Sequence, residues 1–126
     1  MRPGDDVTVV SYSAMVHHCL GVADAMKDQV DAEVIDLQTL EPLDFDTVIK
    51  SVEKTGKLVI VDEDNERCGF AAELATQVME KGFELLDAPV KRVCRDNLPL
   101  PGGFLEDCVL PNAEKIGAGI MAVMEE

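Results

Sequence analysis

The apolar residues of this chain change spacing repeatedly, from the compact runs of a β-strand to the three-and-four intervals of a helix. This alternation limits the possible folds more than any other feature. Residues 7–12 (VTVVSY) form a short β-branched run. The apolar residues that follow are spaced as on a helix: Met15, Cys19, Val22 and Met26. Ser13 stands between the two patterns, and we expect it to be the N-cap of the first helix.

The same change of spacing recurs in the next segment. Residues 32–37 (AEVIDL) predict a second strand, and Pro42 and Asp44 mark the turn before a second helix. The apolar residues of that helix again stand at helical intervals: Phe45, Val48, Ile49 and Val52. We expect Asp44 to cap its start, and Gly56, after Thr55, to end it.

A third unit begins with residues 58–61 (LVIV), a continuous apolar run typical of a strand that is covered on both faces. We expect an acidic turn over residues 62–67 (DEDNER), then a helix from about Gly69 to Phe83. One broad face of this helix carries apolar side chains: Phe70, Leu74, Ala75, Val78 and Met79.

Residues 90–94 predict a fourth strand, and residues 97–103, with two prolines and two glycines, predict a long loop. Asn112 would cap a last helix. Its apolar stripe comprises Ala113, Ile116, Gly117, Ile120 and Met124. Parallel strands need crossovers, and helical crossovers cover the faces of a sheet. The order therefore predicts one domain over residues 1–126, a three-layer α/β/α sandwich with a mainly parallel sheet of four to five strands.

The acidic charge excludes one large class of partner. Eleven basic residues against 25 acidic ones give a net charge of -14, which repels nucleic acids and anionic membrane surfaces.

No apolar run approaches the roughly 20 residues that a membrane-spanning helix needs. The four cysteines form no C-x-x-C pair. These features predict a cytoplasmic protein with free thiols.

The carboxyl ends of the strands are where parallel sheets bind ligands. The candidate places are therefore the segments after the four predicted strands: residues 11–14, 37–40, 62–69 and 94–98. None contains a glycine-rich phosphate-binding motif, and capping explains Ser11 and Ser13. Residues 62–64 (DED) lack the spacing of a calcium loop, and a phosphoacceptor receiver domain would also need acidic residues after the first strand. Solvated loop acids are the simpler interpretation.

The histidines and cysteines do not form a catalytic set. His17 and His18 are helical neighbours, whose side chains diverge by about 100° and cannot easily share a ligand. Cys19 would point into the core, so it does not face His18. Cys68 precedes a helix start, where the helix dipole favours reactivity, but no histidine or second thiol accompanies it. The residues alone predict no catalytic, cofactor-binding or metal-binding group.

Residues 32–44 (AEVIDLQTLEPLD) are the most specific segment of the chain, because they are similar to the signature E-V-I-D-L-R-T-[IL]-x-P-[LM]-D. Other segments match the same family in order: residues 7–13 (VTVVSYS), 52–59 (VEKTGKLV), 69–74 (GFAAEL), 86–93 (LDAPVKRV), and 105–107 (LED) with 110–111 (LP). The chain thus resembles the transketolase C-terminal domain family. It is most similar to the branch found in the β subunits of thiamine-diphosphate-dependent pyruvate, branched-chain 2-oxo acid and acetoin dehydrogenases.

The resemblance implies the C-terminal assembly and docking domain of such a β subunit, catalytically inactive by itself. Thiamine diphosphate and magnesium would be held by other domains of the oxidoreductase. The implied partners are an α subunit, a second β subunit and the basic peripheral-subunit-binding domain of the acyltransferase core. The residues expected at these interfaces are Cys68, Gly69, Phe70, Pro101, Phe104, Leu105, Glu106, Asp107, Glu125 and Glu126. Relatives have an antiparallel edge strand just before the position of Gly4, so one sheet edge is expected to be open here.

Two other hypotheses remain. One is a free-standing regulatory or small-molecule-binding α/β module, which would bind a ligand tightly at the strand ends. The other keeps the family but changes the branch, to transketolase or a deoxyxylulose-phosphate synthase relative. Residues 86–93 and 105–107 fit the 2-oxo acid dehydrogenase branch better, and Cys68 beside Arg67 favours its acetoin members. Substrate contacts are expected mainly on other domains, so the sequence does not specify the parent substrate.

Overall fold

Four parallel strands form one sheet, in the order β2-β1-β3-β4, in a computed structural model that describes residues 2–97, 99, 102–103 and 110–126. The strands are β1 (Val7–Ser11), β2 (Ala32–Asp36), β3 (Leu58–Asn65) and β4 (Lys91–Arg95). The helices are α1 (Met15–Ala25), α2 (Phe45–Thr55), α3 (Phe70–Gly82) and α4 (Ala113–Met124), with a 3-10 turn at Phe83–Leu85. The predicted loop over residues 97–103 lies partly outside the described residues.

The sheet separates two apolar cores. Helices α1 and α4 cover one face, and α2 and α3 cover the other. All five residues of β1 are buried, as expected for a strand covered on both sides. Its side chains alternate across the sheet, so that Val9 joins the core under α1 and α4 while Val10 joins the core under α2 and α3. The predicted three-layer α/β sandwich is confirmed.

A network of hydroxyl groups ties β1 to α2 within one of these cores. The Oγ1 atom of Thr8, which is fully buried, lies 2.6 Å from Ser51 Oγ and 2.8 Å from Thr55 Oγ1. The Ser51 hydroxyl also donates to the carboxylate of Glu33, which lies 3.0 Å from Lys54 Nζ. Because each hydroxyl has a partner, little free energy is lost when it leaves water. The network therefore fixes α2 over β1 and β2.

Three of the predicted helix ends are confirmed. Asp44 caps α2 by accepting from the Thr47 N–H, and Asn112 caps α4 by accepting from the Lys115 N–H at 2.9 Å. Gly56 follows α2 with a φ of 74°, the left-handed conformation that glycine adopts without strain. Each cap involves residues within four positions of one another, so a short stretch of sequence is enough to predict it.

The predicted cap at Ser13 is wrong. Ala14 occupies the N-cap position of α1, and no side chain caps the first turn. Ser13 has a φ of 60°, whereas a capping serine needs an extended backbone to reach the amides ahead of it. Ser11 does not cap the helix either, because its buried hydroxyl donates to the Val61 carbonyl at 2.8 Å. The turn after β1 is therefore tighter than the sequence suggested.

Strand β3 is longer than predicted. Where a turn was expected over residues 62–67, the chain stays extended as far as Asn65, with a bulge between Asp62 and Asn65 opposite β4. Asp62 is only 1% exposed. A buried carboxylate is tolerated when hydrogen-bond donors surround it, so an acidic residue here does not mark a surface turn.

The buried faces of two helices differ from the predicted faces at a few positions. In α3, Met79 is 47% exposed and does not join the core, whereas Ala71 is fully buried. In α4 the buried positions are Ile116, Gly119, Ile120 and Val123. The predicted stripe residues Ala113, Gly117 and Met124 are exposed or half-buried instead. Gly119 lies against β4, and Met124 still packs at the edge of the core although it is only half-buried.

The sheet edge beside β2 is not fully open, which corrects the expectation from the sequence. Arg2 pairs antiparallel with Val34, and each backbone N–H donates to the other residue's carbonyl, at 3.1 and 2.8 Å. Gly4 passes so close to β2 that a Cβ would lie 2.4 Å from the carbonyl carbon of Ala32. The start of the described chain thus lies along the outer edge of β2. Within the described ranges, no helix is long and apolar enough to cross a membrane.

Substitution of Gly119 by alanine tests how closely α4 approaches the sheet. A Cβ at Gly119 would lie 2.6 Å from Val93 Cγ2, whereas a Cβ at Gly21 in α1 would meet nothing within 4 Å. We expect Gly119→Ala to lower the free energy of unfolding by about 1–3 kcal/mol through overpacking. Gly21→Ala, the matched control, should raise it by up to about 1 kcal/mol, because alanine is the better helix former. Urea denaturation measures both, and equal effects would contradict the close approach.

Candidate functional site

The carboxyl edge of the sheet is organised around one buried carboxylate, that of Asp62. Its Oδ1 atom accepts from the Tyr12 hydroxyl at 2.6 Å and from the Asp64 N–H at 3.0 Å. Its Oδ2 atom accepts from the Ala71 N–H, in the first turn of α3, at 3.1 Å. The negative charge also lies at the positive end of the α3 dipole. Asp62 therefore joins the ends of β1 and β3 to the start of α3.

Tyr12 is held from two sides at this edge. Its ring packs edge to face against Phe70, with centroids 5.7 Å apart and planes at 88°. Burial raises the pKa of Tyr12 well above its ordinary value, and the hydrogen bond and charge of Asp62 raise it further. The phenol therefore keeps its proton and remains a hydrogen-bond donor to Asp62.

The polar groups at this edge have partners inside the protein. Both oxygens of Asp62 are occupied, and the Ser11 hydroxyl donates to a β3 carbonyl. Burial, assisted by the charge of Asp62, raises the pKa of the nearby Cys94 thiol to about 12, which keeps it protonated and a poor nucleophile. Across the described residues, no buried side-chain nitrogen or oxygen lacks a hydrogen-bond partner. This arrangement occupies the buried polar groups at the end of the sheet, while Cys68 is exposed beside it.

A shallow cavity of about 360 Å³ lies at the carboxyl end of β2, in another segment that the sequence indicated. Three of its polar side chains are engaged within the chain. The Thr39 hydroxyl donates to the Pro42 carbonyl at 2.8 Å, and the Thr47 hydroxyl donates to the Asp44 carboxylate at 2.6 Å. The bonds from Thr47 hold the pKa of Asp44 below its ordinary value. These three groups shape the turn and cap α2, while the side chains of Asp36 and Gln38 also line the cavity.

The described residues do not fit thiamine diphosphate with magnesium. Magnesium needs oxygen ligands, and the described part of the chain has no group of three His, Cys, Asp or Glu side chains that could hold a metal. A helix start with free amides is one common site for a diphosphate. The amides of Ala71, Thr47 and Lys115, in the first turns of three helices, already donate to side-chain oxygens of the chain, whereas no side chain caps the first turn of α1. We therefore derive no chemical step of this cofactor on these residues.

The predicted interface residues before and in α3 have different environments. Cys68 is exposed, with a φ of 61°. Gly69 is buried, and a Cβ there would lie 2.1 Å from the Asn65 carbonyl oxygen. Phe70 is half-buried against Tyr12. Gly69 and Phe70 thus serve the internal packing at the start of α3, and among these three only Cys68 is fully exposed.

The other predicted interface residues lie near the end of the chain. Glu125 and Glu126 follow α4 and are exposed. The remaining five lie outside the described residues and stay predictions: Pro101, Phe104, Leu105, Glu106 and Asp107.

Two exposed apolar surfaces were missed by the sequence analysis. Phe83 is 64% exposed and, with Met79, borders a groove of about 560 Å³. A second groove, of about 630 Å³, lies between α1 and α4, and we call it the α1–α4 groove. Its lining includes His18, Gly21, Ala25, Gly117, Ala118 and Met121. The spacing of apolar residues shows which side of a helix packs on the sheet, but it does not show whether the opposite side is covered. The small number of charged residues in α1 and α4 could have indicated that their outer surface is apolar.

The family is decided by comparison with known proteins. A family model for the transketolase C-terminal domain matches residues 1–116. The chain belongs to the transketolase C-terminal domain family. A solved structure described as "Split gene transketolase, inactive beta4 tetramer" superposes on this transketolase C-terminal domain with a TM-score of 0.81, over 98% of this chain and 40% of that one, at 22% identity. That likeness confirms the fold.

Curated relatives of this transketolase C-terminal domain are subunits of larger enzymes. It is 42% identical, over 99% of its length, to the acetoin:2,6-dichlorophenolindophenol oxidoreductase subunit beta of Cupriavidus necator. It is 39% identical, over 98%, to the pyruvate dehydrogenase E1 component subunit beta of Bacillus subtilis, and 42% identical, over 99%, to the 2-oxoisovalerate dehydrogenase subunit beta of Pseudomonas aeruginosa. The chain spans 38%, 38% and 35% of the length of these three relatives.

Tyr12→Phe tests the role of the phenol at the carboxyl edge. In the unfolded chain a tyrosine ionises near pH 10, whereas the pKa of Tyr12 in the folded protein is higher. Its contribution to stability is therefore complete below about pH 10 and is lost as the pH rises further. We expect the free energy of unfolding to fall less steeply above about pH 10 in Tyr12→Phe. At pH 8 the variant should be less stable by about 1–3 kcal/mol, because Asp62 loses a donor.

Tyr12 is the only tyrosine and the chain has no tryptophan, so ultraviolet absorbance follows this phenol alone. If the free energy of unfolding fell equally steeply above pH 10 in both proteins, or if the folded phenol ionised near pH 10, the buried hydrogen bond from Tyr12 to Asp62 would be contradicted.

Thiol labelling tests the environments of three cysteines. Burial raises the pKa of Cys19 and of Cys94 from 9.0 to about 12, which lowers the thiolate fraction near pH 8 by about a thousandfold. Cys68 is exposed. We expect maleimide to modify Cys68 in the native protein long before Cys19 or Cys94, and peptide mass mapping follows each site separately. In denaturant the modification rates of the three cysteines should converge. Early modification of Cys94 in the native protein would show that the carboxyl edge is open to solvent.

Proposed function

We propose that this chain is the C-terminal domain of the β subunit of a thiamine-diphosphate-dependent 2-oxo acid dehydrogenase, and that it serves to assemble that enzyme. The observation that carries the proposal is the 42% identity over 99% of the chain with an acetoin oxidoreductase subunit beta. The parent reaction would be oxidative decarboxylation of a 2-oxo acid, or cleavage of acetoin, with acyl transfer to lipoamide. A cytoplasmic location belongs to the same proposal.

The closed carboxyl edge supports an assembly role. The Asp62 carboxylate, the Ser11 hydroxyl and the Ala71 amide in the first turn of α3 bond to one another or to nearby groups of the chain, at the edge where other α/β sheets bind ligands. Chemistry would then depend on other domains, which would also hold thiamine diphosphate and magnesium. This chain would contribute a folded domain to the parent enzyme, and its outer surfaces would contact the partners.

The proposed partners are an α subunit, a second β subunit and the basic peripheral-subunit-binding domain of the acyltransferase core. A net charge of -14 attracts a basic domain over long range and speeds its association. Glu125 and Glu126 are exposed directly after α4, and α4 is anchored in the core by Ile116 and Ile120. Exposed acids beside the end of an anchored helix would meet a basic partner at the rim of an interface, which favours fast association.

Titration calorimetry of the chain with a peripheral-subunit-binding domain tests this docking. We expect binding that weakens as salt rises, because ion pairs at the rim of an interface are screened. Glu125→Lys with Glu126→Lys should weaken binding by at least about tenfold at low salt. The matched control is Glu80→Lys with Glu84→Lys, which changes the net charge equally at exposed positions on the opposite layer. Equal losses in the two double variants would show that only net charge matters and would remove these acids from the interface.

Thiamine diphosphate with magnesium serves as a separate titrant. The proposal expects no heat of binding from the chain alone. Saturable cofactor binding would favour the free-standing ligand-binding module. Absence of docking at low salt would contradict the role in complex assembly.

A further inference from the structure

A cavity of about 280 Å³ lies between the edge strand β4 and helix α4. Three basic side chains and one acidic side chain line it, which gives the lining a net charge of +2 in a chain whose net charge is -14. The four residues are Lys91, Arg92, Lys115 and Glu66. Cations gathered around one opening, in a chain where acids outnumber bases, indicate a site that attracts a small anion.

Small residues of α4 leave the space for this cavity. Gly119 lies against β4, where a Cβ would be 2.6 Å from Val93 Cγ2. Ala118 and Ala122 also line the cavity, and their short side chains leave room beside the strand. Val93 and Cys94 are buried and belong to the lining as well. The cavity thus combines apolar walls with a few charged groups, as small-molecule sites commonly do.

The three cations are held to different degrees. The Arg92 guanidinium donates to the Glu66 carbonyl and lies 3.7 Å from the Glu66 carboxylate, yet the side chain is still 32% exposed. A guanidinium has several N–H donors, so these contacts orient it and leave other N–H groups for a ligand. Lys115 Nζ donates to the Leu110 carbonyl at 3.3 Å, among its contacts, at the start of α4. Lys91 is exposed, and its ammonium has no hydrogen-bond or ion-pair partner among the described residues.

We infer that this cavity binds the phosphate group of a small phosphate monoester. Such a group carries a charge of about -1.5 to -2 at pH 7, which is opposite and nearly equal to the net charge of the lining. Arginine and lysine are the side chains that proteins use to bind phosphate oxygens. The net charge of -14 repels nucleic acids and anionic membranes, so the ligand is a small molecule. The phosphate group fills only part of the cavity, and the organic part of the ester takes the rest.

This binding site goes beyond the proposed assembly role and does not depend on it. Lys115 lies in the first turn of α4, whereas Glu125 and Glu126 follow the other end of the same helix. Thiamine diphosphate with magnesium is a poor ligand for the cavity, because the metal and the thiazolium cation offset the charge of the diphosphate. Titrations with a phosphate monoester and with the peripheral-subunit-binding domain therefore measure separate surfaces.

Amide NMR spectra of the 126-residue chain, titrated with glycerol 3-phosphate, test the inference. We expect saturable shifts that are largest for the amides around the cavity, in residues 91–94 and 115–122. Inorganic phosphate should shift the same amides with a weaker affinity, because it lacks the organic part, and glycerol should shift none. The titrations are made at an ionic strength of about 0.15 M, where exposed charges more than about 8 Å apart are largely screened from one another.

Two substitutions with opposite expected effects test the charges of the site. Lys91→Glu should raise the Kd for glycerol 3-phosphate at least about tenfold, because a repelling charge replaces an attracting one. Glu66→Gln should lower that Kd about threefold or more, because the carboxylate that competes for Arg92 is removed. The matched controls are Lys27→Glu and Glu63→Gln, which make the same charge changes outside the lining and should leave the Kd within about twofold. All four substituted side chains are exposed, and the NMR spectra check that each variant folds.

Three results would overturn the inference. The first is the absence of saturable shifts with glycerol 3-phosphate, or shifts confined to amides away from the cavity. The second is an equal affinity for inorganic phosphate and for the ester, which would contradict a monoester as the ligand. The third is an equal effect of Lys91→Glu and Lys27→Glu, which would show a response to net charge alone. Docking of the peripheral-subunit-binding domain is measured separately, so none of these results contradicts the proposed function.

Discussion

The Asp62 carboxylate is the interaction on which the arrangement of this domain depends. It accepts hydrogen bonds from the end of β1, from its own strand β3 and from the first turn of α3. Without it, the Tyr12 hydroxyl and the Ala71 amide would lose their partners at a half-buried helix start, where unpaired donors cost stability. The same bonds occupy the edge at which parallel sheets bind ligands. The proposed assembly role would then depend on the outer surfaces of the domain.

The two helical layers have correspondingly different roles. Helix α2 is fixed by the hydroxyls of Thr8, Ser51 and Thr55 and shows a charged face to water. Helices α1 and α4 are held mainly by apolar packing, and Gly119 allows α4 to lie directly on Val93. A layer held mainly by packing needs few polar groups, so its outer side can be apolar, as in the α1–α4 groove.

Much of the fold could be predicted because its signals are local. The order of strands and helices follows from apolar spacing, and Asp44, Gly56 and Asn112 act on residues within four positions. Ser13 and Asp62 could not be predicted in this way. The left-handed turn at Ser13 follows from how β1 joins α1, and Asp62 bonds residues 9 and 50 positions away. The residues next to Asp62 in the sequence do not indicate which distant residues bond to it.

The candidate site was harder to predict than the fold, for a related reason. The segment GFAAEL identifies the family, yet the structure uses Gly69 for close backbone approach and Phe70 to pack on Tyr12. A family signature that consists of packing residues describes the frame shared by all members. Packing residues of this kind predict a shared fold and do not predict which partner an individual member binds. Exposed residues outside the signature, such as Glu125, are therefore the better place to test partner binding.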